Sequence, residues 1–145
     1  MKQLTEQMKV ALASVFSFYL KAHYFHWNVE GPNFPQYHEF FGNLYEEVHG
    51  SVDQFAEEIR ALGAYAPGSL QRFKELSKVD DELNVPNSMT MIRELSLDND
   101  RIISMLEEIN KLASENGKSG LSNFIEDRID KHSKHAWMLR AISKG

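Results

Sequence analysis

The chain has 145 residues, no cysteine, and 21 acidic against 16 basic side chains, which gives a formal net charge of −5. This length predicts a single domain over residues 1–145. Without cysteine, disulfides and thiolate metal sites are excluded, so nitrogen and oxygen must hold any metal. No apolar run approaches the ~18 residues of a membrane span and no export signal is recognisable, so we expect a cytoplasmic protein with no membrane partner.

Two long amphipathic helices are predicted in the first half of the chain. Apolar residues recur at helical spacing from about residue 4 to residue 28, and Gly31-Pro32 closes this first helix. Pro35 is suited to a first helical turn and opens a second periodic stretch that ends at Gly63. Because the connection is short, we expect the two helices to lie side by side.

A long connection and two more helices are predicted in the second half. Residues 64–87 contain prolines and paired aspartates, so they form a crossover with one short helix at 70–76. Ser88 is the predicted N-cap of a third helix that stops at Asn116, and a fourth helix covers about residues 121–142. No strand-like alternation competes. The sequence therefore predicts an all-α four-helix bundle with a long crossover between its second and third helices.

Side chains on the second predicted helix suggest a metal site. Asp53 and Glu57 are spaced i and i+4, which places their carboxylates on one face, and His49 extends that face by one turn. Carboxylates with imidazole nitrogen suit iron or another divalent ion. The same spacing is also common on solvated helix surfaces, so the pair alone leaves both interpretations open.

Helix geometry indicates how a histidine could join this pair. His38 precedes Asp53 by 15 residues, which separates them by about 22 Å along one straight helix. They cannot share an ion within one subunit. Antiparallel packing of two copies around a centre near Glu46 would bring His38 of one chain opposite Asp53 of the partner subunit. His26, at the end of the first helix, could reach the same place, so a shared site implies a dimer.

Three stretches carry a resemblance to a known family. HWNVEGPNFPQYHEFF at residues 26–41, followed by LYEEVHGSVDQFAEEIRALG at 44–63, resembles the signature of the Dps family of mini-ferritins, the DNA-protecting proteins of starved cells. KHAWMLRA at 134–141 resembles that family's last helix. The resemblance implies a ferritin-like bundle that assembles into a hollow dodecamer. It also implies a ferroxidase that oxidises ferrous iron, preferentially with peroxide, and stores ferric mineral against oxidative damage.

The resemblance also implies which residues bind iron. By matching position, His26 and His38 come from one chain and Asp53 and Glu57 from its neighbour, at two-fold interfaces. The family usually has an Asp or Glu one turn after the second histidine, where this chain has Gly42. We therefore expect one ligand fewer. His49 is a candidate replacement, and a plain surface histidine is the alternative.

Other residues receive weaker assignments. Acidic residues early in the fourth helix are candidates for a three-fold iron pore, with an exposed acidic face as the alternative: Glu126, Asp127 and Asp130. His132 and His135 are expected to be structural, with no nearby carboxylate pointing the same way on that helix. DNA binding is expected to be weak or absent, because the lysines and arginines are scattered and the net charge is negative. A structural shell or helical interaction protein with a degenerate site is the rival to the ferroxidase.

Overall fold

Four long helices and one short helix form the fold in the computed structural model, which describes residues 1–144. The helices are α1 (Lys2–Asn28), α2 (Phe34–Ala61), α3 (Leu70–Leu76), α4 (Ser88–Glu115) and α5 (Ser119–Ser143). No β-strand occurs in these residues. The predicted all-α bundle, with a short helix in its long crossover, is confirmed. Among the described helices, none combines the length and the apolar character that crossing a membrane would require.

The helix ends show why the sequence located most boundaries well and missed one. Gly63 and Gly117 adopt positive φ angles of 92° and 68° just past the ends of α2 and α4, a conformation that glycine reaches without steric cost. The predicted N-cap Ser88 is wrong, because Asn87 caps α4: its side chain accepts a hydrogen bond from the Thr90 backbone N–H at 2.9 Å. Ser88 is instead the first residue of the helix.

The core lies between the four long helices. α1 packs against both α2 and α4, and α4 packs against α5. The Phe55 and Phe124 rings meet edge to face at 4.9 Å, which joins α2 to α5. The crossover is attached to the bundle through α3, whose Phe73 ring lies 4.9 Å from the ring of Phe16 in α1. The crossover also bonds to α1 near the end of that helix, where the Tyr24 hydroxyl donates to the carbonyl oxygen of Asn84 at 2.7 Å.

A group of charged side chains links α1 to α4. Lys21 is buried, and its Nζ lies 2.8 Å from the carboxylate of Asp98 and 3.9 Å from that of Glu94. Burial and the neighbouring carboxylate of Glu82 raise the pKa of Glu94 to about 7. The close contact of Lys21 with Asp98 offsets part of the cost of removing these charges from water.

Candidate metal centre

The turn between α1 and α2 brings His26 and His38 together. Gly31, at φ 121°, permits the chain reversal that places the end of α1 beside the start of α2. The two imidazole rings stack with their centroids 3.8 Å apart and their planes 15° from parallel. Both rings are half-buried. The fold therefore brings these two histidines together, as the short turn predicted.

Each of these histidines is oriented by the backbone of the other. Nδ1 of His26 donates to the carbonyl oxygen of His38 at 2.6 Å, and Nδ1 of His38 donates to the carbonyl oxygen of His26 at 2.7 Å. A carbonyl oxygen can only accept, so each Nδ1 carries a proton, and the tautomer that this bond favours has its lone pair on Nε2. Histidine ligands of metals are commonly oriented by such bonds. The pair therefore presents two Nε2 donors side by side.

Asp53 and Glu57 lie farther along α2 on its exposed surface. They line one shallow polar depression, together with Gly50, Gln54, Glu58 and Ala61. Within residues 1–144, no group of three or more His, Cys, Asp or Glu side chains is close enough to hold a metal ion. One chain thus brings the two histidines together and the two carboxylates together, but it does not bring the two pairs into contact.

Gly42 lies directly against the His26 ring. A Cβ atom at position 42 would come within 3.1 Å of Cε1 and 3.2 Å of Nδ1 of that ring. These distances are too short for an ordinary van der Waals contact, and the short bond from Nδ1 to His38 prevents the ring from moving easily. Glycine at position 42 therefore fits this arrangement of His26.

A strip of aromatic rings continues from the histidine pair along α1 and α2. The His23 ring stacks on Tyr45 at 3.7 Å and lies 4.2 Å from the exposed Trp27. Burial and the neighbouring imidazoles lower the pKa of His23, and its Nδ1 forms a hydrogen bond of 3.0 Å with the Tyr19 hydroxyl. The exposed ring of His49 lies 4.5 Å from Tyr19 and ends the strip.

The three pore candidates lie on one part of the surface. Glu126, Asp127 and Asp130 are all exposed on α5. The carboxylate of Asp130 forms an ion pair with Lys134 at 3.3 Å, one turn later. Exposure is required both of a pore lining and of an ordinary acidic helix face, so the fold of one chain is compatible with either role.

A buried polar cluster, which sequence analysis missed, joins α2, α4 and α5. Arg128 donates from both terminal nitrogens to Glu47, at 2.6 and 2.9 Å, and Nε2 of His135 donates to the same carboxylate at 2.8 Å. His132 Nδ1 donates to Asn99 Oδ1 at 2.7 Å, and burial lowers the pKa of His132. The carboxylate that His135 meets comes from a different helix, since α2 supplies Glu47.

The electrostatics of this cluster show that it is a structural ion pair. Burial alone would raise the pKa of Glu47, but hydrogen bonds from His135 and Arg128 outweigh it and hold that pKa well below its usual range. The guanidinium thus supplies the positive charge inside the bundle. The sequence did contain a signal: Glu47 follows the buried Leu44 by one turn and Arg128 follows Phe124, so both charges interrupt apolar faces.

Comparisons with known proteins identify the family. A family profile described as "Ferritin-like domain" matches residues 1–144. DNA protection during starvation protein 2 of Bacillus anthracis is 29% identical over 141 residues, which cover 97% of each chain. The crystal structure of Dps from Staphylococcus aureus matches with a TM-score of 0.94 and 30% identity, over 99% of this chain and 96% of that one.

A third relative adds the chemical class of the superfamily. The Dps protein of Vibrio cholerae O1 is described as a member of a broad superfamily of ferritin-like diiron-carboxylate proteins. Its structure matches with a TM-score of 0.93 and 25% identity, over 97% of this chain and 88% of that one. The chain therefore belongs to the ferritin-like family and, within it, to the Dps proteins.

Proposed function

We propose that this protein is an iron-sequestering ferroxidase that oxidises ferrous iron with hydrogen peroxide and stores the ferric mineral in a hollow dodecamer. Its membership of the Dps proteins supports iron storage and protection. The observation that carries the proposal is the reciprocal bonding of His26 and His38, which leaves two Nε2 lone pairs side by side at the surface. Two parallel nitrogen donors of fixed tautomer are a preorganised half of a metal site.

Each site takes its other half from a second subunit. His26 and His38 of one chain bind iron together with Asp53 and Glu57 of the partner subunit, across a two-fold axis. Two observations support this division. Asp53 and Glu57 follow His38 by 15 and 19 residues, which is about 22 and 28 Å along α2, and no group of three metal-binding side chains lies close together within residues 1–144. The proposed assembly supplies what one chain lacks.

The donor set suits the chemistry. Imidazole nitrogen and carboxylate oxygen bind ferrous iron, and the negative carboxylates stabilise the added positive charge of the ferric product. Two ferrous ions each lose one electron, and one hydrogen peroxide takes both electrons and two protons to give two waters. The ferric ions then hydrolyse and join the mineral. Iron is thus the substrate and the stored cargo.

Ferrous iron has to reach these sites through the protein shell. We propose that Glu126, Asp127 and Asp130 line a three-fold pore, where clustered carboxylates raise the local concentration of cations. All three are exposed on the first half of α5, which supports this role. The ion pair of Asp130 with Lys134 reduces the negative charge there by one.

A structural shell of the same fold is the second candidate. It is favoured by Gly42, which removes a carboxylate that the related proteins usually have at that position. A shell assembles in the same way but does not accelerate ferrous oxidation by peroxide. An assembled wild-type particle that oxidises iron no faster than buffer does would therefore favour the shell over the ferroxidase.

A complementation experiment tests the shared ferroxidase site. The histidine-deficient chain carries His26→Ala and His38→Ala, and the carboxylate-deficient chain carries Asp53→Ala and Glu57→Ala. Each pure assembly should be inactive. Co-expressed at equal ratio, half of the two-fold pairs are mixed, and each mixed pair has one complete site, so about a quarter of the wild-type sites return. Recovery of none of the activity, with an active wild type, would place the site within one chain.

A further inference from the structure

His49 is the residue on this surface that neither the core nor the proposed histidine and carboxylate pairs use. Resting on the proposed shared site, we propose that His49 of the partner subunit is a further metal ligand and that it fills the position opposite Gly42. Each site would then contain three imidazoles and two carboxylates. The carboxylate that this chain lacks is replaced by a nitrogen donor from the other subunit.

The helix register gives the position of His49. Gly42 lies four residues after His38, and His49 lies four residues before Asp53. In an antiparallel pair that sets His38 against Asp53 of the partner subunit, His49 of the partner subunit therefore stands opposite Gly42. Gly42 is displaced from His38, and His49 of the partner subunit from its Asp53, by one turn of about 6 Å in the same direction. Within one chain, His49 lies about 10 Å along the helix from Gly42, too far to serve its own histidine pair.

The contact at Gly42 leaves no room for a ligand side chain at that position of the same chain. A side chain growing from position 42 would meet the His26 ring, because even a Cβ would come within 3.1 Å of Cε1. His49 is exposed, with its ring resting on Tyr19 at 4.5 Å, so it is available at the surface where a second copy packs.

The exchange of a carboxylate for an imidazole changes the preference of the site. Imidazole suits iron, copper, nickel and zinc, whereas carboxylate ligands suit harder ions such as manganese and magnesium. A site that has lost one negative charge also favours the ferric over the ferrous ion less strongly than a site with the carboxylate does. We expect a site that binds borderline divalent ions tightly, and Co²⁺ is a convenient probe because its visible absorption reports binding without turnover.

The two deficient chains allow the contribution of His49 to be tested in trans. In a mixed pair, the complete site takes its histidine pair from the carboxylate-deficient chain and its carboxylates from the histidine-deficient chain. His49→Ala on the histidine-deficient chain should therefore weaken Co²⁺ binding at that site about tenfold or more, at least as much as the loss of an outer-shell partner. His49→Ala on the carboxylate-deficient chain should leave the affinity unchanged. The second arrangement is the matched control, because the particle has the same composition.

The outcomes separate this inference from the function on which it rests. Equal Co²⁺ affinity in both arrangements would overturn the role of His49 and leave the shared site intact. Weakening only when the substitution is on the carboxylate-deficient chain would mean that His49 serves its own chain, which also overturns it. Failure of the unsubstituted mixture to form any Co²⁺ site would refute the shared site itself, and the inference with it.

Discussion

His26 and His38 hold each other in place through their backbones, since each ring donates its Nδ1–H to the carbonyl oxygen of the other residue, at 2.6 and 2.7 Å. Half-buried imidazoles are tolerated here because one nitrogen of each is satisfied within the fold. The other ring nitrogen, Nε2, remains free to donate its lone pair to a ligand. The orientation of both rings is therefore set within the chain itself.

The close contact between Gly42 and His26 predicts an unusual response to alanine. Glycine to alanine inside a helix usually stabilises by about 1 kcal/mol. Gly42→Ala should not show this gain, because its Cβ would press on the His26 ring, and it should weaken Co²⁺ binding about tenfold, as a disturbed outer-shell contact does. Cobalt titration and denaturant unfolding of the assembled protein measure the two effects.

Gly50 supplies the matched control for this substitution. It also lies inside α2, and a Cβ there would meet no atom within 4 Å. Gly50→Ala should therefore raise the free energy of unfolding by about 0.5–1 kcal/mol. If Gly42→Ala bound Co²⁺ as the wild type does, the packing argument for His26 would be wrong.

The ion pair of Glu47 with Arg128 should matter for stability and not for iron. Removing one partner of a buried pair costs about 3–5 kcal/mol, and because His135 still bonds to Glu47, we expect Arg128→Met to cost about 3 kcal/mol. The double variant Glu47→Leu/Arg128→Met should recover most of the loss, since an apolar replacement of both partners is often neutral. Guanidinium unfolding curves of the three proteins test this, and a single variant as stable as the wild type would contradict it.

Glu94 predicts a specific dependence of stability on pH. Its pKa is raised from its ordinary 4.5 to about 7 by burial and by Glu82, so the folded state holds a proton that the unfolded state has already released. Stability contributed by this group is therefore lost as pH rises from about 4.5 to 7. Glu94→Gln should raise the melting temperature at pH 8 but not at pH 5. An equal effect at the two pH values would contradict the assignment.

The proposed pore predicts a kinetic effect that depends on salt. Glu126→Gln/Asp127→Asn should slow ferrous uptake about tenfold at low ionic strength and much less at high ionic strength, because clustered charge steers cations and salt screens it. Equilibrium Co²⁺ affinity at the metal centre should not change. Glu107→Gln/Glu108→Gln, on exposed positions of α4, removes the same charge elsewhere and is the control. Equal slowing by both pairs would exclude a local pore.

Local patterns in the sequence were enough to predict most of the fold and the proximity of His26 and His38. Helical spacing and Gly63 located α2, and the short turn between α1 and α2 predicted that His26 and His38 would meet. The N-cap of α4 was misplaced because Asn87 and Ser88 are both good capping residues, and only the observed hydrogen bond distinguishes them.

Features that depend on distant parts of the chain were not predictable in the same way. The pairing of Glu47 with Arg128 joins residues 81 positions apart, and no local spacing indicates which carboxylate an interior arginine will meet. The close approach of Gly42 to the His26 ring likewise depends on how α1 packs against α2. To predict a site divided between subunits, one would also need the register in which one subunit packs against another.

The most direct test of the shared site is an anomalous-scattering map of crystals soaked in ferrous iron and measured at the iron edge. The account predicts a peak at the two-fold interface, bound by Nε2 of His26 and His38 from one chain and by Asp53 and Glu57 of the partner subunit. A peak inside a single bundle, beside Glu47, would contradict it, as would an active protein with no peak at the interface.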